Sequence, residues 1–254
     1  MILRRIATAF RKQDWFTVAV ETMIVVLGVF LGLQAQGWSV ERERQSNERD
    51  YLARLHGEVV LLIEGRASYD ESRKNFSEGL LGALAVLKAP AGAEAISEEQ
   101  CDAIAGSAHT TVPPAELPTI MELLTTGRLD QLTSAPVRTA ILNYTQEAAR
   151  ARDLILVITE SGRDLGKQYP HLITHNVGPA RVGLPDSVWL NPECNTHAMR
   201  ANPVFLNELG ENAYMYNVYA ERAVFPVSAQ LATLHAVLDD EIGASHASEG
   251  QQTP

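Results

Sequence analysis

Between Trp15 and Trp38 the chain is mostly apolar, and beyond Trp38 the apolar positions narrow to a single helical stripe. The first stretch holds no Lys or Arg and one ionisable side chain, Glu21. At about 1.5 Å rise per residue, about 20 such residues cross a bilayer core. The two tryptophans at its ends suit the headgroup level. The pattern predicts a transmembrane helix over 15–38. Farther on, Leu52, Leu55, Val59, Leu62, Tyr69, Phe76, Leu80, Leu84 and Leu87 recur at three-four spacing. That spacing predicts continuation of the same helix to about Lys88, with a bend at Gly57 or Gly65.

Helical signals dominate the remainder. Ser97-Glu-Glu-Gln100 reads as a capping box opening a short helix. Pro113, Pro114 and Pro118 mark a loop, followed by a helix over about 116–126 that Gly127 ends from the C′ position. Pro136 starts a longer helix with the stripe Val137, Ile141, Tyr144, Ala148, Ile155, Ile158 and Leu165, and Pro170 stops it. Residues 170–202 contain four spread prolines and read as irregular. Asn202-Pro203 then opens a final helical stretch. Its stripe runs Ala213, Tyr216, Ala220, Ala223, Val227, Leu231, Leu234 and Leu238, with a break or kink at Pro226. No segment alternates convincingly with a strand period. The expected fold is all-α: an N-terminal transmembrane helix continuing into an elongated antiparallel helical bundle. The expected organisation is a cytoplasmic basic N-terminus (1–14), the span (15–38), an extracytoplasmic helical domain (39–242) and a small, polar, disordered tail (243–254).

Charge sets the orientation. Arg4, Arg5, Arg11 and Lys12 precede the span against Asp14, whereas mixed charges follow it. The positive-inside rule places the N-terminus in the cytoplasm and the rest outside. A cleaved signal peptide is the rival reading, with Ala35 and Gly37 as small residues before a cut. The length of the apolar run and the flanking Gln34 and Gln36 argue against it. A buried helix of a soluble protein is disfavoured by the bracketing tryptophans and the basic flank. The chain carries 21 Lys and Arg against 31 Asp and Glu. With four of those bases before the span, the remainder is strongly acidic, which excludes a nucleic-acid partner resting on phosphate contacts. Within the span, Glu21, Gly28, Gly32 and Gln36 share about a quarter of the helical wheel. Gly28-x-x-x-Gly32 permits close helix packing, and a membrane carboxyl seeks a neighbouring helix or the interface.

The pattern Glu21, Val26-Leu27-Gly28-Val29 and Leu33-Gln34-x-x-x-Trp38 resembles a group of uncharacterised bacterial single-pass membrane proteins whose span ends in Gln-x-x-x-Trp. A second similar stretch is Glu122-Leu-Leu-Thr-Thr-Gly127-Arg128-Leu129-Asp130 followed by Ala140-Ile-Leu-Asn-Tyr144. Ala35-Gln36-Gly37 departs from the Asn-rich residues common there. The resemblance implies a bacterial inner-membrane topology with a periplasmic helical domain, and no activity.

Candidate chemistry is sparse. Cys101 and Cys194 are the only cysteines. In an extracytoplasmic compartment they are expected to form a disulfide, closing a loop worth up to about 4 kcal/mol in the chain-entropy treatment. His171-x-x-x-His175 and Cys194-x-x-His197 offer a zinc set, which the disulfide and the surrounding prolines disfavour. Arg128 and Asp130 fit turn chemistry at a helix end. Tyr214, Tyr216 and Tyr219 fit a core seam. No phosphate loop, His-Glu-x-x-His or Gly-x-Ser-x-Gly is present. The expectation is a non-enzymatic anchor without assigned cofactor or metal. Its partners would be the bilayer and either a second copy or another membrane or envelope protein. The alternative is a ligand-binding sensory or envelope-stress module, and a third reading is a metal-dependent hydrolase using His171, His175 and His197.

Overall fold

The computed structural model describes residues 15–90, 94–179 and 188–243, with side chains from Val20 onward. The basic segment 1–14 and most of the expected disordered tail lie outside the described residues. The fold is all-α with one small sheet. Helix α1 spans Trp15–Lys88, uninterrupted at Gly57 and Gly65. It is followed by α2 (Glu98–Ala105), α3 (Pro118–Thr125), a 3-10 turn at Leu129–Gln131, α4 (Ala135–Ser161) and α5 (Leu165–Gln168). Strands β1 (Ile173–Pro179) and β2 (Val188–Cys194) come next, then α6 (Thr196–Arg200), α7 (Pro203–Tyr219), a π-helical turn at Ala220–Val224 and α8 (Phe225–Ile242).

Two compact units divide the chain, Met1–Tyr51 and Leu52–Pro254. In the first, Met23, Ile24, Leu31 and Leu33 are exposed, and none of the most apolar window is buried. This is one helix, near the N-terminus, long and apolar enough to cross a membrane.

In the second unit the same helical period covers its apolar side chains. Leu52, Leu55, Val59, Leu80 and Leu87 of α1 are buried, as are Val137, Ile141 and Ile155 of α4 and Leu231, Leu234 and Leu238 of α8. Helix α4 packs along α8, which joins the two longest stripes after α1. Side chains then close the helix ends. Glu58 accepts from the Thr119 amide (2.9 Å) and hydroxyl (2.7 Å), capping α3, whose own N-cap Leu117 supplies no side-chain bond. A carboxylate suits a helix N-terminus, where amides lack partners. At the other end of α1, Arg200 donates to the carbonyls of Val86 and Glu94. Gly127, at φ +66°, ends α3: its amide bonds Leu124 O and that of Arg128 bonds Leu123 O. That is the paired closure expected of a left-handed C′ glycine.

Two expectations are corrected and a third is given its form. Helix α4 stops at Ser161, well before Pro170, and a separate short helix carries Leu165. The break is fixed by Asn212, whose amide bonds Arg163 N and O and Ser107 Oγ, while Gly162 lies against Ala108 too closely for a Cβ. Segments 173–179 and 188–194, expected to be irregular, are strands: β1 and β2 pair antiparallel, with Ile173 opposite Cys194 and Val177 opposite Leu190. In a two-stranded sheet both strands are edges, so Pro179 and Pro192 are tolerated. The kink at Pro226 takes the form of a π-helical turn leading into α8. Proline cannot donate to the preceding turn. Arg150 bonds the Arg222 carbonyl at 2.6 Å and Arg66 bonds that of Val224 at 2.9 Å.

Candidate functional site

A cavity of about 570 Å³ lies between the hairpin and helices α1 and α2. Arg73 and Phe76 come from α1, Asp102, Ala105 and Gly106 from α2 and its cap, and His109 and Thr111 from the following loop. His175 is supplied by β1, and Val188, Trp189, Leu190 and Pro192 by β2. Its size suits a small ligand.

Local sequence explains the walls. Cys101 and Cys194 form a disulfide, with sulfurs 2.04 Å apart, that ties the end of β2 to α2. The two opposing walls are thus joined covalently. A Cβ on Gly106 would approach the Phe76 ring to 3.2 Å, so glycine lets that ring lie against the end of α2. A Cβ on Gly166 would fall 1.9 Å from His175 Nε2, so the imidazole rests on the backbone of α5.

Arg73 is the electrostatic centre. Its guanidinium stacks 4.5 Å above the Tyr69 ring, and Nη1 lies 3.5 Å from the Tyr216 hydroxyl. Its Nε is buried with no hydrogen-bond partner among the described residues. The neighbouring hydroxyls are committed elsewhere: Tyr219 donates to Thr111 O at 2.7 Å, and the Tyr69 and Tyr219 hydroxyls lie 2.9 Å apart. Burial raises the Tyr216 and Tyr219 pKa values, with the Tyr69 hydroxyl adding to the rise at Tyr219. These phenols therefore stay neutral and supply no counter-charge. One acid, Asp102, also stands on the wall, so preference for an anion rests on Arg73. A planar guanidinium with a spare donor beside apolar walls suits a carboxylate on an apolar body.

No protein family, curated protein or solved structure matches this chain. The resemblance carried by Gln34-x-x-x-Trp38 and the Gly127 turn therefore stands on those residues alone.

Among the residues singled out in the sequence, the structure joins Cys101 to Cys194 and brings His175 to the cavity. The zinc set is not assembled: His175 is on a strand, Cys194 is in the disulfide, and His171 and His197 join no metal-capable cluster among the described residues. Tyr216 and Tyr219 are buried at the Arg73 cluster, but Tyr214 faces solvent. Glu21, Gly28, Gly32 and Gln36 are exposed on α1, with nothing within 4 Å of a Cβ placed on either glycine. Sequence reasoning missed Arg73, Trp189 and the hairpin. Arg73 was detectable as a cation between the stripe positions Tyr69 and Phe76, where an apolar residue is expected.

A second cavity, of about 660 Å³, follows the Val112–Leu117 loop, α3 and α4. None of its lining residues carries a buried unsatisfied polar side-chain atom among the described residues.

Proposed function

We propose that this chain is a single-pass membrane-anchored protein whose extracytoplasmic helical domain recognises an apolar ligand bearing one carboxylate. The observation that carries the reading is Arg73, with a buried unused donor on the wall of an apolar cavity. The anchor is supported by the exposed apolar helix, and the outward orientation by the basic N-terminal flank and by a disulfide, which persists in oxidising compartments. The bacterial inner membrane follows from the resemblance. Recognition rather than bond-making fits the wall: its hydroxyl, on Thr111, is bonded to Tyr69.

The test is thermal shift of the full chain in detergent against aliphatic and aromatic carboxylates and their matched alcohols. Carboxylates should raise the midpoint, alcohols should not, and Arg73→Met should remove the difference. Equal stabilisation by acids and alcohols, unchanged in Arg73→Met, overturns the reading.

A second reading is favoured by the open Gly28 and Gly32 face: the span packs on a second copy or another membrane protein. Gly28→Ile with Gly32→Ile should abolish crosslinked oligomers in cells. Oligomers that survive this double substitution remove the span-packing part.

A further inference from the structure

Outside the lining of the cavity, α1 and α8 bring together two imidazoles and a carboxylate. His56 comes from α1, and His235 and Asp239 stand four residues apart on α8, so both project from one face of that helix. His56 Nε2 lies 2.8 Å from Asp239 Oδ1, and His235 Nδ1 lies 3.6 Å from Asp239 Oδ2. Each carboxylate oxygen thus faces a different imidazole. The two rings stack, with centroids 5.2 Å apart and planes 23° from parallel. One ligand atom from each residue falls within 4.8 Å of the other two. Their side chains are 17 to 24% exposed, shielded from bulk water but open on one side.

We propose that His56, His235 and Asp239 form a binding site for a divalent transition-metal ion, with Zn²⁺ the best chemical match. Zinc takes imidazole nitrogen and carboxylate oxygen at about 2.0–2.2 Å, so donors around a tetrahedral ion lie about 3.3 Å apart. The two imidazole–carboxylate separations, 2.8 and 3.6 Å to the two oxygens of Asp239, fall on either side of that value, and all three donors lie within 4.8 Å of one another. The His-x-x-x-Asp spacing on a helix is the part of the site that needs no rearrangement. Two nitrogens and one oxygen disfavour Ca²⁺ and Mg²⁺, which prefer all-oxygen shells. Three protein donors leave a fourth position open to water. Because the donors come from the middle of α1 and the end of α8, a bound ion clips the last helix to the first.

The site is independent of the cavity reading, and its test is too. Full-length protein in detergent is loaded with Zn²⁺, passed through gel filtration and assayed for bound metal; Co²⁺ is then substituted to read its visible absorption. Wild-type chain should retain one Zn²⁺ per molecule and give the strong bands of low-symmetry Co²⁺. His56→Gln, His235→Gln and the near-isosteric Asp239→Asn should each weaken binding more than about 100-fold, a loss beyond that of outer-shell changes. Circular dichroism verifies that each variant is folded. A chain with His171, His175 and His197 all replaced by Gln should keep its metal. Absence of stoichiometric metal in the wild type overturns the proposal. Metal retained by folded His56→Gln and His235→Gln does so too.

Discussion

Arg66 and Arg73 lie about two turns apart on one helix and are used in opposite ways. Arg66 is 1% exposed, yet every nitrogen is engaged. Nη1 donates to Pro114 O at 2.6 Å, Nη2 to Val224 O at 2.9 Å, and Nε to Ser228 Oγ at 2.9 Å, with Asp70 at 3.8 Å. It ties α1 to the proline loop and to the π-helical turn. Arg73 is less buried, but its Nε finds no partner among the described residues and its neighbours are neutral phenols. A buried cation whose donors end on carbonyls holds the fold together. A cation with a spare donor on a cavity wall is free to meet a ligand. Burial alone would have ranked the two arginines the wrong way round as binding candidates; hydrogen-bond satisfaction separates them.

The largest effect expected from breaking this contrast is at Arg66. Arg66→Met keeps most of the side-chain volume but strands the Pro114 and Val224 carbonyls. Loss of such buried charged hydrogen bonds costs about 3–5 kcal/mol. Urea denaturation should show the midpoint falling sharply. Arg66→Lys should rescue little, because a single ammonium cannot reproduce the guanidinium fork. A wild-type midpoint in Arg66→Met would make Arg66 no more structural than Arg73.

Next in size is the disulfide. Replacing Cys101 and Cys194 by Ser releases a closure spanning 93 positions and should cost about 2–4 kcal/mol. Because it joins β2 to α2, the loss should weaken carboxylate binding at the cavity more than it disturbs α4 and α8. Hydrogen exchange that rises in the hairpin before it rises in α8 would sharpen the contrast between cavity and core. Uniform exchange across both would erase it.

A smaller effect is expected at high pH. Burial pushes the Tyr144 hydroxyl up to about 12, against a lowering influence from Arg66. Its hydroxyl donates to Ala115 O at 2.7 Å, which a tyrosinate cannot do. The folded pKa lies above the unfolded one, so this contribution is complete below about pH 10 and is lost as pH rises through about 12. Tyr144→Phe should cost about 1 kcal/mol at neutral pH and flatten the alkaline decline. An unchanged alkaline limb in the variant would assign that decline to Tyr216 and Tyr219 beside Arg73.

How much of this was legible beforehand follows from the kind of signal each region carries. The stripe from Ala213 to Leu238 is buried at every position read from the sequence, because helical period reports directly on a covered face. The capping box at Ser97 and the glycine turn at Gly127 were equally readable, since both are local chemistry. The stripe on α1 skipped from Leu62 to Tyr69, and the missing position is Arg66, a core residue disguised by its charge. The hairpin was hidden for a different reason: its strands are mostly exposed and interrupted by proline, so no alternation exists to read. The His56, His235 and Asp239 cluster joins residues 183 apart, and no local pattern announces such a meeting. Only the four-residue spacing on α8 hinted at it.

The smallest stability effect is expected at Arg73, and it carries the most weight for function. Arg73→Met removes a stacked, partly buried cation that has no ion-pair partner among the described residues, so stability should change by about 0.5 kcal/mol or less. Carboxylate binding should nevertheless disappear, because the remaining wall offers two exposed histidines, one acid, the Thr111 hydroxyl and apolar side chains. Arg73→Lys gives the sharper reading. It restores the charge but neither the planar fork nor the stacking on Tyr69, so recovery should be partial and should favour small anions over extended carboxylates. Full recovery by lysine would mean that the cavity selects only charge, and the geometry around Tyr69 and Tyr216 would then lose its role in recognition. A large loss of stability in Arg73→Met would instead place this arginine with Arg66, as part of the frame.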